Sequence, residues 1–297
     1  MTESILLCLA TRKGYEVLRA LGDRHPTASF RVTTFAEERV VERWDERIRQ
    51  LAAARQYPVH EWSDIRSGNA PWSERHGVRA VVCVSWIYLV PQAMVDAVGG
   101  RVIVAYDSLL PRYRGFAPLA TAMIQGDTEV GVTVLLAAEA VDAGDVLFQA
   151  RMPVGPDETI AQVIDGLTAV IGRVLAGEAL HGTPQDHERA TYSIWRDEAD
   201  LFVDWREPAP RIARTVRALG PPYLGARTHL GDQVGVLRDV TALPDIPFEI
   251  RQPGKVWSLT PRGEPIVVCG EGLLTIRDAE MDGAPLVPLR RLRVRFH

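Results

Sequence analysis

Apolar runs alternate with helical patterns through the first half of the chain. ESILLCLA (3–10), ASFRVTTF (28–35), VRAVVCVSW (78–86) and GRVIVAY (100–106) read as strands. Between them, KGYEVLRALGD reads as a helix ending near Gly22. AEERVVERWDERIRQLAAARQ (36–56) places Val40, Val41, Trp44, Ile48 and Leu51 close to helical spacing, which predicts a second helix. PQAMVDAVGG and FAPLATAMIQG predict two more. EVGVTVLLAAE and DVLFQARMPV flank a turn at Ala140 to Gly144. DETIAQVIDGLTAVIGRVLAGEAL (157–180) is the clearest helix. Asp157 is placed to cap it, and Ile160, Val163, Ile164, Leu167, Ile171 and Val174 share one face.

Strand–helix alternation with nearly continuous apolar strands predicts an α/β domain, its sheet mainly parallel and covered on both faces. Reactive groups in such sheets lie beyond the C-terminal ends of strands. Tyr106, Asp107 and Ser108 follow one such end. The character changes near residue 203. DWREPAPRIARTVRAL starts a short helix after its prolines, and short β-like runs separated by turns follow. That predicts a smaller β-barrel-like second domain. The expected division is residues 1–200 and 201–297.

Composition narrows the class. Hydrophobic residues make up 46% and charged residues 24%, as in an ordinary globular protein. No stretch reaches the ~18 apolar residues of a membrane helix, and the N-terminus reads as a buried strand rather than a signal peptide. Cys8, Cys83 and Cys269 each lie in an apolar run and read as buried, reduced residues. Metal ligation would need closer spacing and histidine partners, so no metal is expected. The expected compartment is the cytoplasm. His25, His60, His76, His181, His187, His229 and His297 read mostly as solvated surface. The formal net charge is −4, with the acid excess in residues 1–200. No strong basic stripe announces nucleic acid, which is not the expected partner. Neither GxGxxG nor a P-loop occurs, which disfavours nicotinamide and nucleoside-triphosphate chemistry.

SLLPRYRG (108–115), followed by GVTVLLAAEAVDAGDVLFQ (131–149), resembles the folate-dependent formyltransferases. That family includes methionyl-tRNA, glycinamide ribonucleotide and sugar-nucleotide formyltransferases. KGYEVLRAL resembles the first helix of the sugar-modifying branch, and WIYLVP the family's folate-pocket segment. DWREPAPRIARTVRAL, YLGARTHL and PGKVWSL resemble the C-terminal domain that several members share. The resemblance implies a Rossmann-like formyltransferase sheet and an OB-like C-terminal domain. It also implies a tetrahydrofolate derivative, 10-formyltetrahydrofolate, as donor and a small-molecule amine as acceptor. A homodimer stays open.

The family loop reads Asn-x-His-Pro-Ser-Leu-Leu-Pro, and its Asn and His serve the oxyanion and the proton. Here Val104 stands at the Asn, Tyr106 at the His and Asp107 at the Pro. Asp142 keeps the family's aspartate. Thr133 holds a supporting hydroxyl, Leu135 stands where relatives carry another histidine, and Phe116 where the sugar branch carries an arginine. Losing one oxyanion donor costs ~10²–10³ in rate. Losing a general acid or base costs ~10²–10⁴.

The resemblance makes Tyr106, Asp107 and Asp142 the candidate catalytic residues: hydrogen-bond donor, base or cation anchor, and water-orienting carboxylate. Trp86, Tyr88, Leu89, Val90 and Val141 fall where the pterin is received, and Ser108, Arg112 and Arg114 where the substrate is. Plainer roles stand beside these. Asp142 braces its turn, Tyr106 plugs the old pocket, Asp107 and Ser108 cap a turn, and the arginines are solvated. Three functions stay open: a rewired one-carbon transferase, a catalytically silent ligand-binding or regulatory homologue, and methionyl-tRNA formylation with its salt-dependent tRNA binding.

Overall fold

A computed structural model describes residues 3–174 and 182–297. The chain divides into two compact units. Met1–Pro118, Glu129–Pro153 and Gln162–Ser193 form the first; Leu119–Thr128, Val154–Ala161 and Ile194–His297 form the second.

The first unit carries strands β1 (Ser4–Leu9), β2 (Phe30–Thr33), β3 (Val78–Val84), β4 (Val102–Tyr106), β5 (Arg114–Gly115), β6 (Glu129–Leu136), β7 (Val146–Pro153) and β8 (Tyr192–Ser193). Six of them make one sheet in the order β2-β1-β3-β4-β6-β7. The first four run parallel; β6 and β7 are antiparallel to their neighbours. The apolar runs decide this. Leu6 to Leu9 and Val81 to Val84 are buried along their length, as strands covered on both faces must be. β5 and β8 pair separately, in parallel.

Helices α1 (Thr11–Arg24), α2 (Asp45–Ala54), α3 (Trp62–Arg75) and α4 (Gln92–Ala97) link the parallel strands. Trp62, Ile65 and Trp72 of α3 and Met94 of α4 pack on Leu6, Cys8, Val81, Cys83 and Val102. Two expectations need correction here. The helix predicted over 36–56 is only α2, because Val41 is 62% exposed and finds no core, while Asp45 and Glu46 favour a start at the later point. α3 goes unpredicted because Gly68 and Pro71 interrupt its pattern; its buried tryptophans override local propensity.

Helix α5 (Pro118–Gln125) follows β5, and α6 (Ile160–Val174) follows β7. Ile160, Val163 and Leu167 of α6 are fully buried, as its pattern predicts. The helix begins three residues beyond Asp157, so Asp157 lies in the preceding turn rather than at the cap. The side chains of Ile171 and Val174, and the helix end expected at 175–180, lie outside the described residues.

In the second unit, α7 (Ala209–Leu219) accommodates Pro210 in its first turn, where no helical N–H is lost. Strands β9 (Ala226–Leu230), β10 (Gln233–Leu243), β11 (Val256–Leu259), β12 (Pro265–Val268) and β13 (Leu273–Met281), with β14 (Ala284–Pro285) on β13, form an antiparallel sheet ordered β11-β12-β13-β10-β9. Its edges are brought together by the chain's last residues. Leu230 bridges Phe296, and Lys255 bridges Arg295, giving the expected barrel-like closure. Gly254 permits this: its φ is +84°, and a Cβ there would collide with the Phe296 carbonyl. Ile212, Ala213 and Val216 of α7 pack on Leu237, Leu274, Ile276 and Phe296 inside.

Among the described residues no helix is long and apolar enough to cross a membrane, and no His, Cys, Asp and Glu group is placed to hold a metal.

Candidate active site

β4 ends at Tyr106, and the chain turns at once. The Ser108 amide donates to the Tyr106 carbonyl (3.0 Å), and the Ser108 hydroxyl donates to the Arg112 carbonyl (2.7 Å). Thr133 of β6, fully buried, holds this turn from below. Its hydroxyl donates to the Ser108 carbonyl (2.6 Å) and accepts from the Leu110 amide (3.2 Å) and Gln149 Nε2 (2.9 Å). Ser108 is itself buried, so it serves the turn's backbone.

Tyr106 points its hydroxyl at the carbonyls of Tyr113 (2.7 Å) and Gly115 (3.0 Å). Burial, with the nearby Asp142 carboxylate, holds its pKa far above the ordinary phenol value. The phenol therefore stays protonated and is spent on bracing residues 113–115. Gly115 in turn donates its amide to Asp142 Oδ2 at 2.8 Å. Gly115 has φ +108° and a Cβ there would strike the Ser193 carbonyl, so only glycine fits.

Asp142 sits in the left-handed region, φ +56°. Burial raises its pKa above the usual carboxylate range, offset in part by the Gly115 N–H, Tyr106 and Arg114. Its turn is anchored by Gln185, whose Nε2 donates to the carbonyls of Asp142 (2.9 Å) and Gly144 (2.7 Å). Arg114, expected to face a substrate, is instead buried. Its guanidinium donates to Gln185 Oε1 (2.7 Å) and lies 3.0 Å from His187 Nδ1. Arg112 stays at the surface, bonded to the Tyr113 hydroxyl (3.0 Å) and stacked on that ring. His25, His187 and His297 are exposed, as expected, while His60, His76 and His229 are only half-buried. His60 lies against Trp72 and His76, and His229 stacks on Phe202; His181 lies outside the described residues.

Asp107 has a partner that the motifs did not suggest. Lys13, in the first turn of α1, is 3% exposed and forms an ion pair with Asp107 Oδ2. The other oxygen, Oδ1, is buried without a hydrogen-bond partner. A legible signal existed: Lys13 lies four residues before Val17 and eight before Leu21, on the stripe α1 buries. Gln149 and Gln185 carried no such signal.

Trp86, Phe35, Trp62 and Tyr88 form an aromatic cluster beside β3, with Trp86 5.3 Å from Phe35 and 5.1 Å from Trp62 between ring centres. Trp86, Val90 and Val104 pack against the core. Tyr88, Leu89 and Val141 remain exposed. Trp62 Nε1 and Trp86 Nε1 are buried donors without partners. The structure thus brings Tyr106, Asp107 and Asp142 to the C-terminal end of β4, as parallel-sheet chemistry requires.

Comparison with known proteins gives the same picture of kinship. Residues 46–175 match the formyl transferase family, and residues 196–292 match the formyl transferase C-terminal domain. A methionyl-tRNA formyltransferase of Synechococcus sp. is 34% identical over 250 residues, covering 78% of this chain and 76% of that protein. Among solved structures, the sugar 3N-formyltransferase WlaRD, in the presence of dTDP and 5-N-formyl-THF, superposes with TM-score 0.65 and 12% identity, covering 98% of this chain and 100% of that one. HypX from Aquifex aeolicus in complex with tetrahydrofolic acid superposes with TM-score 0.63 and 17% identity. It covers 95% of this chain, which spans 45% of that longer protein.

Proposed function

This chain belongs to the formyl transferase family, and on that premise we propose that it passes a formyl group from a tetrahydrofolate donor to the amine of a small molecule. The reduced folates in the WlaRD and HypX structures support the donor. Within this chain, the unpartnered indole N–H groups of Trp62 and Trp86, in a cluster of aromatic faces, suit a flat heterocycle with hydrogen-bonding edges. Trp86, Tyr88, Leu89, Val90 and Val141 would hold it. When bound, the donor supplies a formyl carbon to the amine nitrogen, its own carbon–nitrogen bond breaks, and it leaves with the proton the amine has lost.

The observation that carries the reading is the buried, unpartnered Oδ1 of Asp107 at the end of β4. A buried carboxylate oxygen without a donor is costly. An amine N–H would satisfy it. Asp107 orients that nitrogen, and Asp142, its carboxyl favouring the proton more than usual, would order water beside it. Tyr106 and Ser108 keep the turn in shape; Arg112 at the rim attracts acidic groups of the substrate. Residues 1–200 carry this work and 201–297 the barrel-like domain. The cytoplasm fits its buried free thiols.

A small acceptor is favoured over tRNA because the net charge is −4 and no strong basic stripe runs along the chain. A second reading, a ligand-binding homologue without turnover, has its own observation: Val104 is packed into the core and the Tyr106 hydroxyl is committed to the backbone. Consumption of 10-formyltetrahydrofolate with a panel of primary amines, with folate binding scored separately, divides the two. Turnover that falls ~10²-fold or more in Asp107→Ala supports transfer. Binding with no turnover supports the silent homologue. Turnover unchanged in both Asp107→Ala and Tyr106→Phe contradicts the site.

A further inference from the structure

The transfer proposed above lacks one part: a donor for the oxygen of the formyl group. Val104 has none to give, and the Tyr106 hydroxyl is directed to two backbone carbonyls. Among the described residues two cations are buried, Lys13 and Arg114. Arg114 is held by Gln185 and His187 behind the Asp142 turn.

We propose that Lys13 is a catalytic residue whose ammonium group holds the formyl oxygen of the donor, while the Asp107 oxygen beside it receives the attacking amine. This rests on the folate-donor reading. Lys13 lies at a position of α1 that the helix buries along with Val17, Leu18 and Leu21. An apolar side chain would satisfy packing there, and a buried ion pair is no more stable than a well-packed apolar pair. Stability alone therefore does not call for this lysine. Its ammonium has three hydrogens, and the ion pair with Asp107 Oδ2 takes one. On the carboxylate, Oδ1 is left over. The pair thus offers a cationic donor and an anionic acceptor side by side at the end of β4. Attack on a formyl carbon needs both: a donor for the oxygen as charge gathers on it, and an acceptor for an N–H of the nucleophile. The Lys13 side chain is buried while that of Asp107 is 25% exposed, so the ammonium is fixed and shielded where the oxyanion would develop.

Formyl recognition can be read by binding alone. Calorimetric titration of the full chain with 10-formyl-5,8-dideazafolate and with 5,8-dideazafolate measures the affinity increment due to the formyl group. The wild type is expected to bind the formylated compound ~10-fold or more tightly, the range for a hydrogen bond to a charged group. Lys13→Met should erase that increment and leave 5,8-dideazafolate affinity within ~3-fold. Lys13→Met/Asp107→Asn, which strands no buried charge, should do the same, and keeps the test open if the single variant does not fold. An increment that survives in either variant overturns the role of Lys13. So does loss of affinity for both compounds in the folded double variant, which would make the lysine a support of the whole pocket. No binding of either compound by the wild type overturns the donor reading as well, and is distinguishable from the other results.

Discussion

The carboxylate of Asp142 accepts the backbone N–H of Gly115 at 2.8 Å, and so ties the turn between β6 and β7 to the loop after β4. Burial holds this carboxyl's pKa above its ordinary value. The folded protein therefore binds that proton more tightly than the unfolded chain. The sign follows: the group costs stability as pH rises from about 4 through the raised value, and costs nothing below. Asp142→Asn keeps an acceptor for Gly115 and tolerates the positive φ. It should raise the midpoint of thermal unfolding at pH 7 relative to wild type, with the gain shrinking toward pH 4. A gain that does not change with pH would contradict the buried-charge account.

Thr133 makes a second prediction. Its hydroxyl serves the Ser108 carbonyl, the Leu110 amide and Gln149. Thr133→Val keeps the shape and strands buried polar groups, each costing ~1–3 kcal/mol. Denaturant unfolding should show a loss of ~2–4 kcal/mol, with Thr133→Ser losing less.

A third concerns the far edge of the sheet. Arg31 donates to His60 Nε2 (3.2 Å) and to the His76 carbonyl (3.2 Å). Burial and then Arg31 lower the pKa of both rings. A proton on His60 Nε2 would displace the arginine. The unfolded chain therefore takes up these protons first, and stability falls as pH drops below ~6.5. Urea midpoints between pH 7.5 and 5.5 should fall more steeply in wild type than in His60→Gln/His76→Gln.

Much of the architecture was legible because burial and periodicity agree. β1, β3 and β4 lie where the apolar runs put them, and Tyr106, Asp107 and Asp142 meet because β4 and the β6–β7 turn share one end of the sheet. The failures have physical causes. Val40 and Val41 mimic a helical face that no core receives. Trp62 and Trp72 drive a helix through a glycine and a proline. Arg114 reads as a basic turn in SLLPRYRG, but Gln185, more than seventy residues on, draws it inside. Lys13 opens the KGYEVLRALGD helix with no motif to mark it; only its phase with Val17 and Leu21 betrays burial. Long-range partners such as these leave no local trace.

The central claim is that a folate site persists here although the family's Asn and His positions hold Val104 and Tyr106. A crystal structure of the protein with 10-formyl-5,8-dideazafolate tests it most directly. The account predicts the ring system against residues 86–90 and the formyl group within hydrogen-bond reach of Lys13, with Asp107 Oδ1 open to the acceptor. A crystal grown at saturating ligand that shows no compound bound there, with Trp62, Trp86 and Tyr88 filling that space, would contradict it.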